Sequence, residues 1–294
     1  MELKLEHVSY IYNPGTTYES KALDDVCLTI GAGEFIGMIG HTGSGKSTLV
    51  QHLNGLLLPS EGKLLADGAD ITAQEYPLRE LRCRVGLVFQ YPEYQLFESD
   101  VLKDVSFGPK NQKLPEDEVL RRARDAMRSV GLDESYEKRS PFELSGGQKR
   151  RAAIAGILAM NPEVLVLDEP TAGMDPEGRG EILRLLKKLH DERHITIVLV
   201  SHSMEDVADY ADRIVVMDEG KIVWDGEPSE VFVHVRELEE IGLAAPQVSY
   251  VMAALCERGW NVDRSVTTIE SAADEIAAEL KRRRAAGSGA AQVE

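Results

Sequence analysis

The chain has 294 residues, 43% hydrophobic and 28% charged, which is the composition of an ordinary globular protein. Fifty acidic residues against 33 basic ones give a formal net charge of −17, which argues against nucleic acid or anionic lipid as a partner of the whole surface. Its apolar runs are too short to span a membrane and its three cysteines follow no metal-ligand pattern, so we predict a reduced, cytosolic chain that reaches a membrane only by docking onto another subunit.

The first candidate binding residue is Tyr12, in an aromatic-rich stretch near the start of the chain. Its ring could stack on the face of an adenine. A tyrosine at the edge of a strand, with no ligand, is an almost equal alternative.

The next feature is the apolar run EFIGMIG at 34–40, which leads into GHTGSGKST. This segment fits the phosphate-loop pattern G-x-x-x-x-G-K-[ST] between a strand and a helix. Backbone N–H groups and the positive helix end would hold phosphate, Lys46 would bridge the β- and γ-phosphates, and the Ser47 hydroxyl would bind Mg²⁺. The predicted nucleotide-binding residues here are Gly40, His41, Thr42, Gly43, Ser44, Gly45, Lys46, Ser47 and Thr48.

The run VGLVFQ at 85–90 predicts another strand, which ends at Gln90. An amide at that position could contact both a metal ion and a water molecule without adding charge. Residues from about 91 to 158 show few strand signals, and 115–130 has the proline, acidic first turn and final glycine of a helix. We therefore predict a helical subdomain inserted into the sheet domain.

A second glycine-containing loop, LSGGQKRR, occupies 144–151. Ser145 and Gln148 fit a capping box that starts a helix. Capping does not explain Gly146 and Gly147, since glycine is a poor helix former. We predict a second phosphate-binding site formed by these four residues, too far from Lys46 to share its phosphate.

The buried strand VLVLDEP at 164–170 ends in two carboxylates. The carboxyl edge of such a sheet is where α/β proteins bind ligands. Asp168 suits the surroundings of Mg²⁺, and Glu169 suits the orientation or deprotonation of an attacking water. The strand ITIVLVSH brings His202 to the same edge, where it could hydrogen-bond a γ-phosphate.

Continuous apolar strands that alternate with helical patterns, such as the stripe through 182–189, predict an α/β fold with a parallel sheet. The predicted fold is a P-loop NTPase core sheet with an inserted α-helical subdomain and a small helical C-terminal segment. The predicted divisions are an ATPase domain at 1–225, with its helical subdomain at about 91–158, a C-terminal helical segment at 226–285, and a disordered tail at 286–294.

In order and spacing, GHTGSGKST, Gln90, LSGGQ, VLVLDEP, GMDP and SH resemble the motifs of the nucleotide-binding subunits of ATP-binding cassette (ABC) transporters. The likeness covers about residues 3–225. In that family two subunits face head to tail, and each ATP lies between the phosphate loop of one and the LSGGQ of the other. The resemblance implies that residues 145–148 serve the partner's ATP, that 173–175 form the D-loop at the dimer seam, and that His202 is the switch histidine.

A closer resemblance, carried by VFQYPEYQLFESDV at 88–101 and by DEPTAGMDP, is to the second type of ATPase subunit in energy-coupling factor transporters. It implies an ATPase that uses ATP and Mg²⁺ at the cytoplasmic face of the cell membrane to power uptake of a vitamin or transition-metal ion. The implied partners are a second ATPase subunit, a membrane scaffold (T-type) subunit and, indirectly, a substrate-capture (S-type) subunit. For the two ATPase subunits a heterodimer is favoured over a homodimer. The segment after 226 would help to pair the two ATPases.

The same resemblance implies that the region after Gln90 receives helices of the scaffold subunit. This region would form an apolar groove with acidic rims. The apolar residues are Tyr91, Tyr94, Leu96 and Phe97, and the acidic residues between and after them are Glu93, Glu98 and Asp100. We expect Glu93 and Glu98 to help dock the scaffold. Two other functions stay open at this point: a soluble cassette protein that acts on ribosomes or DNA, and a regulatory module that holds ATP without hydrolysis.

Overall fold

The computed structural model describes the backbone of residues 1–290 and the side chains of residues 1–284. The strands are β1 (Leu3–Tyr12), β2 (Ser20–Ile30), β3 (Phe35–Ile39), β4 (Glu61–Ala66), β5 (Ala69–Asp70), β6 (Val85–Val88), β7 (Val164–Asp168), β8 (Thr196–Val200), β9 (Arg213–Asp218) and β10 (Lys221–Gly226). The helices are α1 (Lys46–Leu53), α2 (Leu78–Arg84), α3 (Val101–Asn111), α4 (Glu116–Ser129), α5 (Gly146–Leu158), α6 (Pro176–Arg193), α7 (Met204–Tyr210), α8 (Pro228–Val231), α9 (Val235–Glu240), α10 (Gln247–Glu257) and α11 (Ile269–Ala290).

The central sheet has six strands in the order β10-β9-β3-β8-β7-β6. Five neighbouring strands, β9, β3, β8, β7 and β6, run parallel to one another, and the edge strand β10 is antiparallel to β9. Every residue of β3, β6, β7 and β8 is buried. Layers on both faces of the sheet therefore explain why these strands are continuously apolar, and the predicted α/β fold is confirmed.

A second, antiparallel sheet in the order β2-β1-β4-β5 was not predicted. Its strands alternate: in β2, Val26, Leu28 and Ile30 are buried while Cys27 and Thr29 are exposed. One face therefore meets solvent. The buried face packs, together with α1, against one side of the central sheet, where Ile36 and Met38 of β3 belong to the same apolar cluster.

The helical insertion lies between β6 and β7. Three helices, α3, α4 and α5, and three short 3₁₀ turns, Pro92–Gln95, Glu134–Tyr136 and Pro141–Glu143, occupy it, with no strand among its described residues. The predicted helix at 115–130 is α4, followed by Gly131 with a left-handed φ of 77°. The insertion packs through α5 and α3 onto the same apolar cluster as the strand residues Leu165 and Leu167.

After β10 the chain forms the four helices α8 to α11. The backbone of α11 continues to Ala290, and the disordered tail at 286–294 stays a prediction. The alanines of this segment propagate a helix that is already nucleated, in spite of the two glycines. The rest of the predicted tail, 291–294, lies outside the described residues. Within residues 1–290, no helix has both the length and the apolar composition needed to cross a bilayer.

Candidate functional site

Four loops that carry predicted site residues meet at the carboxyl edge of the central sheet. The loop after β3 leads into Lys46, and the neighbouring strand β8 is followed by Ser201 and His202. The next strand, β7, ends at Asp168 and is followed by Glu169, and β6 is followed by Gln90. Adjacent parallel strands thus explain why residues as far apart in sequence as 46 and 202 share one edge.

The phosphate loop has the backbone shape that its glycines predict. Gly45 has a φ of 105°, and a Cβ there would lie 2.6 Å from the carbonyl oxygen of Ala22. Gly43 has a φ of 88°, but a Cβ there would meet nothing within 4 Å. Gly45 is therefore required by close packing within the chain, whereas Gly43 leaves open space on the side where a ligand can approach the backbone.

Lys46 is buried beneath this loop. Its Nζ donates to the carbonyl oxygens of Gly40 at 2.7 Å and His41 at 2.9 Å. Burial lowers the pKa of the Lys46 ammonium, and the nearby carboxylates of Glu169 and Asp168 oppose that shift. An ammonium that is paired only with carbonyl oxygens and the Ser44 hydroxyl, within the described part of the chain, fits the binding of an anionic ligand.

Two aromatic residues flank the loop. Nε2 of His41 lies 2.9 Å from Oδ1 of Asp218, which ties the loop to the end of β9. The hydroxyl oxygen of Tyr12 lies 3.2 Å from Oγ1 of Thr48 in the first turn of α1. The predicted adenine-stacking residue therefore contacts the nucleotide loop, although the two are 36 residues apart in sequence.

Glu169 lies at the centre of a small polar cluster. Gln90 Nε2 donates to its Oε2 at 2.8 Å, and Nε2 of His202 lies 2.6 Å from its Oε1. Glu169 has a left-handed φ of 50°, a strained conformation for a residue with a side chain. Its N–H donates to the carbonyl oxygen of Val200 at 3.1 Å. The strain and the two side-chain contacts fix the direction in which this carboxylate points.

Asp168 is buried beside this cluster, with 8% of its surface exposed. Burial raises the pKa of its carboxyl, and a hydrogen bond with the Ser47 side chain lowers it. Ser47 and Asp168 therefore form an adjacent hydroxyl–carboxyl pair at the end of the phosphate loop. Oxygen ligands of this kind are those that Mg²⁺ prefers.

The second glycine loop starts α5 with the predicted capping box. Gln148 N–H donates to Ser145 Oγ at 3.3 Å, and Ser145 N–H donates to Gln148 Oε1 at 3.0 Å. The Gln148 amide also donates to the Tyr136 hydroxyl at 3.1 Å, a contact that the sequence did not indicate. The tyrosine fixes the orientation of the amide, and with it the loop.

Gly146 and Gly147 are not required by packing within the chain. A Cβ at either position would meet nothing within 4 Å, and neither has a positive φ. Their cavity, of about 490 Å³, is shared with Gly173, Met174 and Asp175, and no residue of 40–48 lines it. A single chain thus does not bring the two glycine loops to one cavity.

The groove after Gln90 differs from the predicted one. A cavity of about 380 Å³ is lined by Phe97 and Phe107, which are 58% and 46% exposed, but also by Arg79 and Arg82. None of Glu93, Glu98 and Asp100 lines this cavity, and α2 contributes basic side chains instead, so the groove with acidic rims stays a prediction.

The acidic residues of this region bind within the chain. Both oxygens of Glu93 pair with Arg150 at 2.9 and 3.1 Å, so its carboxylate is bound within the chain, and its role in docking the scaffold stays a prediction. Asp100 caps α3 by accepting from Lys103 N–H. Asp104 accepts from the N–H groups of Phe97 and Glu98 at 2.9 and 2.8 Å, and burial raises the pKa of its carboxyl.

Comparison with known proteins shows the family to which the chain belongs. The family model of the ABC transporter matches residues 23–172. The chain is 58% identical over 277 residues to the energy-coupling factor transporter ATP-binding protein EcfA2 of Clostridium tetani, covering 94% of this chain and 96% of the relative. It is 52% identical to the protein of that name from Clostridium perfringens, covering 94% and 97%.

Solved structures give the same result. The structure of cbiO1 from Clostridium perfringens, described as part of the ABC transporter complex cbiONQ, matches with a TM-score of 0.73 and 42% identity, over 85% of this chain and 98% of that one. The ATP-binding cassette MJ0796, in a dimeric post-hydrolysis state bound to ADP and Pi, matches with a TM-score of 0.68 and 31% identity, over 76% and 98%.

Proposed function

We propose, from the premise that this chain belongs to the ABC transporter family and within it to the ATP-binding proteins of energy-coupling factor transporters, that its two glycine loops serve two different ATP molecules. The chain is the ATP-binding and ATP-hydrolysing subunit of an energy-coupling factor type importer. Its phosphate loop binds one ATP, and residues 145–148 face the ATP that a second ATPase subunit holds. The open space around Gly146 and Gly147 is the observation that carries this proposal.

Each residue of the cluster at the sheet edge has a distinct task in hydrolysis. Lys46 exchanges the carbonyl oxygens of Gly40 and His41 for phosphate oxygens, which are stronger acceptors. The carboxylate of Glu169 orients a water molecule and accepts its proton as the water attacks the γ-phosphate. Gln90 and His202 hold that carboxylate until nucleotide arrives, and His202 then reaches the γ-phosphate.

We propose that three residues would hold Mg²⁺ in the ATP-bound chain: Ser47, Asp168 and Gln90. The Ser47 hydroxyl and the buried Asp168 carboxyl already hydrogen-bond to each other, which supports this assignment. When bound, the ion neutralises charge on the β- and γ-phosphate oxygens. The protein's own contribution would be to hold these three side chains together at the carboxyl edge of the central sheet.

We expect Asp168→Asn to remove most of the additional thermal stabilisation that Mg²⁺ gives to the ATP-bound chain, and to leave the stabilisation by ATP alone. The measurement is the melting temperature with ATP, with and without Mg²⁺. Because burial raises the pKa of Asp168, protons compete with the metal at a higher pH than at an ordinary aspartate. In the wild type the Mg²⁺ increment should therefore be present at neutral pH and be lost as the pH falls through that raised pKa. An unchanged increment in Asp168→Asn would contradict the assignment.

The partners follow from the family. Membrane subunits and a second ABC ATPase are its partners, and we propose that the second ATPase is a different chain and that a scaffold subunit docks in the groove at Phe97 and Phe107. We propose that the chain lies at the cytoplasmic face of the cell membrane. A separate membrane subunit then captures the solute, for which we propose a vitamin or a transition-metal ion.

We propose that residues 226–285 pair the two ATPases, while 1–225 form the catalytic unit with its helical subdomain at about 91–158. Exposed apolar side chains on the C-terminal helices support this: Val251 lies on α10, and Ile269 and Leu280 lie on α11. Such side chains would be covered in an assembled pair of subunits.

Co-purification from membranes tests the transport assignment. We expect the tagged wild-type chain to bring down a second ATPase and a polytopic membrane protein, and the double variant Phe97→Ser, Phe107→Ser to lose the membrane protein. The two rings form an edge-to-face pair with centroids 5.1 Å apart, so a partner helix that covers them would gain contact area on both. Tyr18→Ser, which changes an aromatic residue that is 82% exposed and lies outside the groove, is the matched control. A wild type that recovers no membrane protein would favour a soluble ATPase instead.

A further inference from the structure

Arg150 is almost completely buried although it carries a full charge, with 3% of its surface exposed. Its guanidinium makes three hydrogen bonds. Nε and Nη2 donate to the two carboxylate oxygens of Glu93 at 3.1 and 2.9 Å, and Nη1 donates to the carbonyl oxygen of Ala172 at 3.0 Å. None of these contacts involves the phosphate loop or the cluster around Glu169, so the hydrolysis scheme above does not account for them.

These contacts join three segments that are far apart in sequence. Glu93 lies in the 3₁₀ turn Pro92–Gln95, which follows Gln90 and leads to the groove. Arg150 lies in α5, two residues after the capping glutamine of the second glycine loop. Ala172 lies three residues after Glu169, in the loop that leads to α6. One side chain therefore ties the groove, the second glycine loop and the catalytic loop together.

A second, independent contact links two of these segments. A Cβ on Gly173 would lie 3.6 Å from Cε1 of Tyr91, so the catalytic loop passes close to the first residue after Gln90. Both residues have left-handed backbone conformations, with φ of 72° and 56°. The two segments therefore meet directly as well as through Arg150.

The chemistry at position 150 requires an arginine. The planar guanidinium presents several N–H donors in a fixed fork, so it can bind a carboxylate through two bonds and a carbonyl through a third. A lysine would keep the charge but has a single nitrogen on a flexible stem, and it could not reach all three acceptors in that geometry. Because one rigid guanidinium bonds to both groups, a displacement of Glu93 would also displace Ala172.

We propose that Arg150 is a positioning residue that makes the groove turn, the second glycine loop and the loop after Glu169 move as one unit. A partner helix in the groove would then align residues 145–148 with the ATP of the second subunit at the same moment as it aligns Glu169. The inference rests on the proposed function, because it takes the groove as the docking surface of the membrane partner.

Steady-state kinetics of the assembled complex in liposomes test the inference. We expect Arg150→Lys to lower kcat for ATP hydrolysis about tenfold, since small misplacements of catalytic groups have effects of at least this size, while KM for ATP stays within about twofold of the wild type. Solute uptake per ATP hydrolysed should also fall. Binding of a fluorescent ATP analogue to the isolated chain should be unchanged, because Arg150 contacts no residue of the phosphate loop.

Arg124→Lys is the matched control. Arg124 forms a bidentate pair with Glu137 in the same helical subdomain, at 2.8 and 3.1 Å, but it contacts neither the groove turn nor the catalytic loop. We expect its kinetics to match those of the wild type. Glu93→Gln should reproduce the Arg150→Lys defect, and the double variant should be no worse than the poorer single variant, because both changes remove the same contact.

Three kinetic results would overturn the inference: an Arg150→Lys complex with wild-type kcat, an equal defect in Arg124→Lys, or a double variant whose defects multiply. Loss of complex assembly in Arg150→Lys would also overturn it. The Arg150–Glu93 pair would then be needed to form the docking groove, and not to pass the effect of partner binding on to the loop after Glu169. The wild-type complex is measured first. If it contains no membrane partner, the proposed function fails before the variants are compared.

Discussion

Glu169→Gln is expected to abolish turnover and leave ATP binding intact. The amide cannot accept the proton of the attacking water, and loss of a general base lowers kcat by about 10²- to 10⁴-fold. The affinity for ATP should not change, because the Glu169 carboxylate contacts Gln90 and His202, not the phosphate loop. Phosphate release by the assembled complex, together with binding of a fluorescent ATP analogue, measures both quantities.

Glu163→Gln is the matched control for this variant. Glu163 directly precedes the same strand, β7, and it pairs with Arg84 on the protein surface. An exposed ion pair of this kind contributes little to stability, at most about 1 kcal/mol. We therefore expect wild-type hydrolysis in Glu163→Gln. Phosphate release by Glu169→Gln within a few-fold of the wild type would show that another group accepts the proton.

The second large effect is expected for Gly147→Val. A Cβ at this position meets nothing within 4 Å in its own chain, so the fold and the ATP affinity of the isolated chain should be retained. Glycine is among the weakest helix formers, so the substitution in the first turn of α5 should not lower the melting temperature. In the assembled complex, however, the branched side chain would occupy the space of the ATP held by the second subunit. Loss of a backbone donor to the transition state lowers kcat by about a hundredfold or more.

Melting, ATP binding and hydrolysis together distinguish a lost contact with the second subunit from damage to the chain itself. A variant that melts like the wild type, binds ATP like the wild type and fails to hydrolyse it in the complex has lost a contact outside its own chain. Gly147→Ala should show a smaller defect of the same kind, because its side chain is one methyl group. Normal hydrolysis by Gly147→Val would mean that no nucleotide approaches this loop.

The central sheet and the meeting of Glu169 with Gln90 and His202 could be predicted because both follow from local signals. A strand that is buried on both faces is continuously apolar, and polar residues directly after such strands, such as Asp168 and His202, must meet at one edge. The antiparallel sheet could not be predicted from continuous apolar runs, because a strand such as β2 has one solvated face and therefore alternates between buried and exposed residues.

The contacts of Arg150 and Tyr136 could not be predicted, for a different reason. Arg150 stands in the run KRR, which in sequence is indistinguishable from a solvated basic surface, and its partner Glu93 lies 57 residues away. Likewise, nothing near Tyr136 indicates that its hydroxyl accepts from Gln148. Such pairs depend on how three helices of the inserted subdomain pack together, and this information is not local.

The most direct test of a catalytic pocket shared between two subunits is a structure of the Glu169→Gln complex trapped with ATP and Mg²⁺. We predict that the backbone N–H groups and the Ser145 hydroxyl of the second glycine loop lie at hydrogen-bond distance, about 3 Å, from the γ-phosphate of the ATP on the other subunit's phosphate loop. A structure in which one chain alone encloses its ATP, while residues 145–148 face solvent away from any nucleotide, would contradict this account.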